Sequence, residues 1–314
     1  MISIALCTYN GERFLREQLD SIAQQTLLPG ELVVCDDRSS DRTFEILKAF
    51  KESVSFPVHI HQNEKNLGAL KNFEKAINLC QGKWISLCDQ DDSWLPNKLE
   101  ILGRKMEQME AVAGESTPIL IHTDAIVGDE SLNKIASSLW GFQGTYPQKG
   151  HSLNRLLNQN VVTGCTALFN QALWSRAFPI PEKAVIHDWW LALVASAFGK
   201  MGHVSESTII YRQSGENVIG AKKWTFLIAL RLLFDLKSRG SVIKANKEIS
   251  NRIRNQAQEF LHCYNDSLSV RQKETLQAFI ELPNQSYFIR KYLIVKYGLH
   301  YHGLLRNAGH LILK

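Results

Sequence analysis

The sequence predicts an α/β protein with a mostly parallel sheet flanked by helices and a C-terminal helical extension. Over the first hundred residues, four short runs of strand-forming residues alternate with segments of helical periodicity. Polar or acidic residues follow each of these runs, as expected where parallel strands end at one edge of a sheet. Beyond residue 220 the pattern is helical and basic. We therefore expect two domains, 1–220 and 221–314.

The elements of the first hundred residues follow in regular order. The predicted strands are 2–7, 31–35, 57–61 and 84–88. Apolar residues at helical spacing predict a helix after each of the first three strands, with Asn10 as a plausible cap for the first helix. The second helix is expected around Phe44 to Phe50.

The chain from about residue 118 has a looser pattern. "PILIHTDAIV" and "TALFN" (166–170) predict further strands, and "DWWLALVASAFG" (188–199) predicts a mostly buried helix. The turn-rich segment "RQSGENVIGA" closes this part of the chain, which places the predicted boundary near residue 220.

Charge is unevenly distributed between the two predicted domains. The chain has 314 residues and a formal charge of +5, and 45% of its residues are hydrophobic, which is typical of a folded protein. Residues 221–314 carry 16 Lys and Arg against 6 Asp and Glu, whereas the first 220 carry 20 against 25. An acidic body argues against a nucleic-acid channel, and the basic region is suited to an anionic surface.

The cysteines and apolar runs indicate a cytoplasmic protein. Six cysteines without a CxxC pair are interpreted as reduced, buried residues and not as disulfides or a zinc site. The N-terminal run lacks a basic leader, and the longest apolar run, beginning at Trp224, contains Arg231 and is too short to span a bilayer.

Three carboxylates, Asp89, Asp91 and Asp92, stand within four residues directly after the fourth predicted strand. Two carboxylates about 4 Å apart repel each other by roughly 4 kcal/mol at an effective dielectric constant near 20. A divalent cation such as Mg²⁺ or Mn²⁺ removes that repulsion, and it is commonly shared with substrate phosphates. The alternative is a solvated acidic turn in which Asp92 caps a helix that begins near Pro96.

Other candidate residues have both a functional and a structural interpretation. Asp36 and Asp37 either bind a nucleobase or ribose or serve as turn and cap residues, and Tyr9 either stacks on a base or plugs a strand end. Asp188 is either a helix N-cap or a general base beside aromatic surface. No P-loop or glycine fingerprint follows the first strand, which argues against kinase, NTPase and dehydrogenase functions.

Four ordered motifs together resemble the inverting nucleotide-sugar glycosyltransferases of family 2, which have the A-type glycosyltransferase fold. They are "ISIALCTYNGERFLREQLDSIAQQT", "ELVVCDDRSSDRT", "NLGALKNFEKAINLCQGKWISLCDQDDSWLPNKL" and "HDWW", and they lie within residues 1–220. The resemblance implies a nucleotide-binding sheet and transfer of a sugar from a nucleoside-diphosphate sugar by a single displacement at the anomeric carbon.

The resemblance also assigns roles to individual residues. It implies that Asp188 is the catalytic base and that Asp91, Asp89 and Asp92 are candidate ligands of Mn²⁺ or Mg²⁺, with Asp91 the strongest candidate. The donor nucleotide is expected to bind at Thr8, Tyr9, Asn10, Asp36, Asp37, Asn66 and Asp89. Similar proteins often have a histidine where Ser214 stands, so we expect weaker metal affinity here.

The sequence of the motif "CDQDDSWLP" most resembles the corresponding motif of bacterial enzymes that transfer rhamnose or related deoxysugars in surface polysaccharide (O antigen) synthesis. The resemblance therefore implies dTDP-rhamnose as donor and a saccharide or polyprenyl-diphosphate-linked acceptor. The basic C-terminal region would then rest on an anionic membrane surface, or else pack as a helical subdomain or dimer contact. The rival interpretations are a nucleotidyltransferase, and a non-catalytic sugar-nucleotide-binding partner of an assembly complex.

Overall fold

The computed structural model describes residues 1–214 and 239–301, with side chains described for 1–214 and 248–301. The described residues form two compact units. The first comprises Met1–Trp140, Val162–Ile180 and residues 186–214, and the second comprises Gly141–Val161, Pro181–Val185 and residues 239–301. Two short segments of the predicted 1–220 domain thus group with the second unit. The predicted boundary near residue 220 lies outside the described residues and stays a prediction.

The secondary structure alternates as the sequence predicts over its first half. The strands are β1 (Ile2–Thr8), β2 (Glu31–Asp36), β3 (Val58–Gln62), β4 (Trp84–Cys88), β5 (Ser93–Trp94), β6 (Ile119–Gly128), β7 (Lys134–Ala136), β8 (Ala167–Asn170) and β9 (Lys200–Arg212). The helices are α1 (Leu15–Ala23), α2 (Thr43–Ser53), α3 (Ala69–Leu79), α4 (Lys98–Ala113), α5 (Leu139–Gln143), α6 (Pro147–Gly150), α7 (Leu153–Leu156), α8 (Gln171–Ala177), α9 (His187–Phe198), α10 (Arg239–Tyr264), α11 (Val270–Glu281) and α12 (Tyr287–Tyr297).

The described strands join in one mixed sheet in the order β3-β2-β1-β4-β8-β6-β9-β5, with β7 paired to β6. The strands from β3 to β4 in this order are parallel, whereas β8 is antiparallel to both of its neighbours. Strands β1, β2 and β4 are buried along their whole length, which explains their nearly continuous apolar sequences. The predicted sheet flanked by helices, with helices at the C-terminal end, is confirmed.

The parallel register brings several strand ends to the same edge of the sheet. Thr8 lies opposite Asp36, and Asp36 lies opposite Gln62. On the other side of β1, Leu6 lies opposite Cys88, the last residue of β4. The polar residues that follow β1, β2, β3 and β4 therefore start from one edge, as the sequence predicts.

Two details of the helix starts differ from the sequence prediction. Helix α1 begins at Leu15 after Phe14, so the prediction that Asn10 caps it is wrong. Asn10 instead adopts a left-handed conformation, with φ of 47°, and its side-chain oxygen accepts the Ser40 N–H at 2.9 Å. Helix α4 begins at Lys98 after Asn97, which excludes Asp92 as its cap.

Strand β9, at 13 residues, is the longest of the described elements in the sheet and was not predicted from the sequence pattern. Its sequence, "KMGHVSESTIIYR", alternates poorly because polar residues occupy its middle, several of them partly or fully exposed. Its pairing with β6 also shifts register twice, so no uniform period of two is maintained.

The second unit is helical over its described residues, as expected. Helix α11 begins with a capping box in which the Ser269 hydroxyl accepts the Gln272 N–H, while the Gln272 side chain accepts the Ser269 N–H. Among the described residues, no helix combines the length and the apolar character that crossing a bilayer requires. The apolar run beginning at Trp224 lies outside the described residues.

Candidate active site

The carboxylate of Asp36, at the end of β2, is fully buried and holds neighbouring strand ends together. It accepts hydrogen bonds from the Thr8 hydroxyl at 2.9 Å and from the Gln62 amide at 3.2 Å. The N–H and hydroxyl of Ser39 complete its partners, at 3.0 and 2.5 Å. Asp36 thus fixes the ends of β1, β2 and β3, with Thr8 as one of its donors.

Asp37 organises the loop that leads into α3. Its carboxylate accepts the backbone N–H groups of Leu67 and Gly68 at 2.7 and 2.8 Å, and the Asn63 amide at 2.8 Å. The Asn66 side chain donates to the Asp37 carbonyl at 3.3 Å. The turn interpretation therefore describes the contacts that both aspartates make within the chain, and their role in nucleotide binding stays a prediction.

Tyr9 and Gln90 connect the ends of β1 and β4. The Tyr9 N–H donates to the Gln90 side-chain oxygen at 2.8 Å, and the Gln90 amide donates to the Tyr9 carbonyl at 3.0 Å. A side chain on Gly11 would displace the Gln90 amide and so disturb this pair of hydrogen bonds. The Tyr9 side chain is 51% exposed, as a residue that stacks on a ligand requires. Sequence reasoning missed Gln90 because the middle residue of a D-x-D motif carries no chemical signal.

The acidic turn, residues 89–92, presents carboxylates at two depths. Asp89 and Asp91 are partly exposed, whereas Asp92 is fully buried. Burial, followed by the charges of Asp92, Asp91 and Asp188, raises the pKa of Asp89 well above its ordinary value. Burial and the charge of Asp91 raise the pKa of Asp92 to about 7. The repulsion expected from the sequence is therefore present in the folded chain.

Arg212, the last residue of β9, braces the acidic turn from behind. Its backbone N–H donates to the Asp92 carboxylate at 3.1 Å, and its Nε donates to the Asp91 carbonyl at 2.6 Å. The same guanidinium bonds to the Glu17 carboxylate and the Glu130 carbonyl, and its side chain is only 2% exposed. Nothing in the sequence pairs residue 212 with a turn 120 positions earlier, so this contact was not predicted.

Lys98, the first residue of α4, is a second buried cation near the turn. Its ammonium donates to the Cys165 carbonyl at 2.6 Å and lies 3.2 Å from the centre of the Trp94 ring. Burial lowers its pKa to about 8, and the charges of Asp92 and Asp89 oppose that shift. The fold therefore supplies part of the positive charge that the carboxylates need.

The donor set of the turn fits a divalent cation. Ligand atoms of Asp89, Asp92 and Cys165 lie within 4.8 Å of one another. One carboxylate oxygen of Asp92, Oδ2, is buried without a hydrogen-bond partner among the described residues. A buried carboxylate oxygen without a donor is costly, and a metal ion is one group that satisfies it. Sequence reasoning assigned Cys165 to the core, and the structure places its buried thiol beside the carboxylates.

Asp188 belongs to the same site. It is the second residue of α9 and is 6% exposed. Ile186 occupies the N-cap position, which excludes the cap interpretation of Asp188. The charge of Asp188 contributes to the raised pKa of Asp89, so the two carboxylates interact. A partly exposed acidic turn could hold a divalent cation that neutralises a phosphate-bearing leaving group, while a separate buried carboxylate could accept a proton.

Comparison with proteins of similar sequence identifies relatives among glycosyltransferases. Over 192 residues, 60% of this chain and 68% of the relative, it is 36% identical to the Escherichia coli UDP-Glc:alpha-D-GlcNAc-diphosphoundecaprenol beta-1,3-glucosyltransferase WfgD. It is 24% identical over 237 residues to the putative teichuronic acid biosynthesis glycosyltransferase TuaG of Bacillus subtilis, covering 71% and 83% of the two chains. Matches to uncharacterized mycobacterial proteins, at 22% identity, span only 60% of those proteins.

Solved structures of similar fold include S. aureus TarS and a mannosyltransferase. Residues 1–349 of S. aureus TarS in complex with UDP-GlcNAc match with a TM-score of 0.54 at 17% identity, covering 94% of this chain and 88% of that one. The mannosyltransferase PcManGT from Pyrobaculum calidifontis, in complex with GDP-Man and Mn²⁺, matches with a TM-score of 0.54 at 15% identity over 99% and 78%. At these identities the likeness establishes the fold alone.

The family model for "Glycosyl transferase family 2" matches residues 3–176, which is more than half of the chain. This stretch contains β1 to β4, the acidic turn and Cys165. The chain therefore belongs to glycosyl transferase family 2.

Proposed function

We propose that this protein is a metal-dependent inverting glycosyltransferase of surface polysaccharide synthesis. It would move a sugar from a nucleoside-diphosphate sugar to a hydroxyl of a saccharide or lipid-linked saccharide. The observation that carries the proposal is the pairing of an acidic turn with a separate buried carboxylate, Asp188, whose charge acts on Asp89. The family match covers the acidic turn, which supports the role of the turn in sugar transfer.

Each part of the proposed site has a definite chemical task. Asp188 takes the proton of the acceptor hydroxyl, whose oxygen forms a bond to the anomeric carbon as the bond to the diphosphate breaks. Asp89 and Asp92, whose ligand atoms lie within 4.8 Å of each other, would hold Mn²⁺ or Mg²⁺ together with partly exposed Asp91. A bound ion supplies Lewis-acid stabilisation of the leaving diphosphate. Half-exposed Tyr9 would stack on the base, and Thr8, Asn10, Asp36, Asp37 and Asn66 would form or support the nucleotide site.

The donor and acceptor follow from the relatives and from the acidic motif. WfgD is named for UDP-Glc and for a GlcNAc-diphosphoundecaprenol acceptor, and the crystallised TarS fragment binds UDP-GlcNAc. The resemblance of the "CDQDDSWLP" motif to that of rhamnosyltransferases favours dTDP-rhamnose as the donor. We therefore propose a hexose or deoxyhexose donor and an acceptor carried on a polyprenyl diphosphate.

The deciding experiment incubates the protein with UDP-glucose, UDP-GlcNAc or dTDP-rhamnose and measures release of the nucleoside diphosphate. Each donor is tested with Mn²⁺, Mg²⁺ or EDTA, and with or without a short-chain lipid diphosphate carrying α-GlcNAc. Acceptor-dependent release that EDTA abolishes is the expected result. Release of pyrophosphate from a nucleoside triphosphate would favour a nucleotidyltransferase, and donor binding without turnover would favour a non-catalytic partner.

The last helix of the second unit supports contact with a membrane surface. Phe288, Tyr292 and Val295 are 83%, 61% and 66% exposed and follow the i, i+4, i+7 spacing of one helix face. Lys296 lies 5.7 Å from the centre of the Tyr292 ring, and α12 contains no acidic residue. Exposed aromatic residues beside cations are typical of helices that lie on anionic bilayers. We therefore propose that α12 brings the enzyme to a membrane-bound acceptor.

A further inference from the structure

His187, the first residue of α9, is a buried imidazole that the proposed reaction does not yet use. It is 4% exposed, and its ring stacks on Phe73 with 3.9 Å between the ring centres and an angle of 25°. Neither of its ring nitrogens has a hydrogen-bond partner within the described part of the chain. The aromatic contact fixes the ring and leaves both polar atoms unused.

Such an arrangement is energetically unfavourable in a folded protein. Buried polar side chains in native proteins almost always find a partner, and the exceptions call for an explanation. Burial lowers the pKa of His187 to about 3, so the ring is neutral near pH 7. A neutral imidazole donates from one nitrogen and accepts at the other, which matches a hydroxyl group, since a hydroxyl does both.

Gly164 shows where such a hydroxyl would meet the ring. A methyl group on Gly164 would lie 3.2 Å from Nε2 of His187 and 3.3 Å from Oδ2 of Asp188. Polar atoms of two consecutive side chains therefore lie close to the same piece of backbone. That backbone belongs to a short 3-10 turn, Gly164–Thr166, in which the Thr166 N–H and hydroxyl both donate to the Thr163 carbonyl.

We propose that His187 binds a hydroxyl group of a sugar substrate, next to the hydroxyl that Asp188 deprotonates. This inference rests on the proposed glycosyltransferase function and deepens it by naming a sugar-binding residue. Both ring nitrogens are buried, so the turn at Gly164 must shift when the sugar arrives. The glycine leaves room for that shift, and its replacement by alanine would fill the space beside both polar atoms.

The test compares three variants of the full-length protein. His187→Phe keeps the stack on Phe73 and removes both nitrogens, whereas His187→Leu removes the nitrogens together with the aromatic ring. The matched control, Phe73→Leu, weakens the same stack and keeps the nitrogens. For each we would measure the urea midpoint without ligand, the affinity for UDP-glucose and dTDP-rhamnose with Mn²⁺, and transfer to the α-GlcNAc lipid diphosphate.

For His187→Phe we expect stability to be kept or increased while transfer activity falls. His187→Phe should have a urea midpoint at or above that of the wild type, with transfer reduced at least tenfold. A higher KM for the acceptor with unchanged donor affinity identifies an acceptor hydroxyl, whereas a weaker donor affinity identifies a hydroxyl of the transferred sugar. Phe73→Leu should lose stability, with a smaller loss of transfer.

Two results would overturn the inference. The first is transfer by both His187 variants at the wild-type rate and affinity, which would leave the proposed function intact. The second is a loss of stability in both variants equal to that of Phe73→Leu, with transfer reduced only in proportion, which would make His187 an ordinary core residue. If the wild type bound and transferred none of the sugars, the proposed function would fall together with this inference.

Discussion

The carboxylate of Asp188 has the surroundings that a general base needs. It is buried near the start of α9 and is not the N-cap of that helix, so capping does not account for its presence. Its negative charge acts on Asp89, which connects it to the acidic turn. These facts separate its task from that of the turn, since the turn faces the diphosphate and Asp188 faces the acceptor in the proposed reaction.

Asp188→Asn should therefore abolish transfer and leave donor binding intact. The amide keeps the shape of the side chain but cannot take a proton, and general-base catalysis typically contributes about 10²–10⁴-fold to a rate. We expect transfer to fall by about a thousandfold, while donor affinity with Mn²⁺ changes less than twofold. Asp20→Asn, on the exposed side of α1, is the control and should be neutral. Near-normal transfer by Asp188→Asn would show that the base is another group.

His187 also predicts a pH dependence of stability. The pKa of histidine in an unfolded chain is about 6.5, and burial lowers it to about 3 in the folded protein. Between these values the unfolded chain binds a proton that the folded chain does not, so stability falls as the pH falls below about 6.5. The loss should approach about 1.4 kcal/mol per pH unit and should be absent above pH 7.

Urea unfolding of the wild type and of His187→Phe at pH 7.5, 6.0 and 5.0 would measure this effect. Other titrating groups contribute equally to both proteins, so the difference between their free energies of unfolding isolates His187. As the pH is lowered, the free energy of unfolding of His187→Phe should rise relative to that of the wild type. A constant difference over that range would mean that the imidazole is protonated in the folded chain.

At the level of elements, the clustering of polar residues at the edge of the sheet was predictable, but the contacts of Arg212 with the acidic turn were not. Period and composition gave β1 to β4, and parallel strands bring their C-terminal ends together, so the meeting of Thr8, Asp36 and the acidic turn followed from the sequence. The contacts of Arg212 depend on β9, whose polar middle and shifted register hide its strand character. Local patterns do not report pairings between residues more than a hundred positions apart.

Cys165 and His187 show the same limit at the site itself. The sequence presents the first as one of several core cysteines and the second as the neighbour of a candidate base. The carboxylates beside the thiol and the unused nitrogens of the ring become visible only when β4, α3 and α9 are assembled. The acidic residues could be predicted because residue type alone gives their charge. Burial, and polar atoms that lack hydrogen-bond partners, are properties of the fold and cannot be read from residue type.

The bracing by Arg212 yields a prediction for the link between β9 and the acidic turn. Arg212→Lys keeps the positive charge but loses the planar fork that bonds Asp91, Glu130 and Glu17 together. Charged hydrogen bonds contribute about 1.5–3 kcal/mol each, so we expect the free energy of unfolding to fall by about 3 kcal/mol. If the acidic turn holds the metal as proposed, the affinity for Mn²⁺ with UDP should also fall, because the backbone of that turn loses its support.

Urea unfolding and Mn²⁺ titration followed by calorimetry would measure the two effects. Arg16→Lys is the matched control, since Arg16 pairs with Asp20 on the exposed face of α1 and is 59% exposed. That change should cost less than about 0.5 kcal/mol and leave Mn²⁺ binding unaltered. An equal loss in the free energy of unfolding for the two substitutions would show that the Arg212 guanidinium does not stabilise the turn.

At the level of the whole molecule, the chain combines a family 2 catalytic unit with a basic helical unit. Residues 221–314 carry 16 Lys and Arg against 6 Asp and Glu, while the preceding residues are acidic overall. An acidic body would by itself be repelled by an anionic bilayer. The exposed face of α12 offers aromatic residues together with lysine, which gives the basic unit both an apolar and an electrostatic contribution to binding.

Replacing Phe288, Tyr292 and Val295 together by serine should reduce binding to anionic vesicles at least tenfold. Fully burying one large apolar side chain contributes about 1.5–3 kcal/mol, so partial burial of three exceeds the roughly 1.4 kcal/mol of a tenfold change. Co-sedimentation with vesicles of phosphatidylglycerol and phosphatidylethanolamine would measure it, and binding should weaken at higher salt. Val270→Ser, which removes another exposed valine of the same unit, is the control and should bind normally. Unchanged recovery of the triple variant with the vesicles would exclude this face as the membrane contact. A dimeric wild type and a monomeric triple variant would show that the face binds a second copy of the chain.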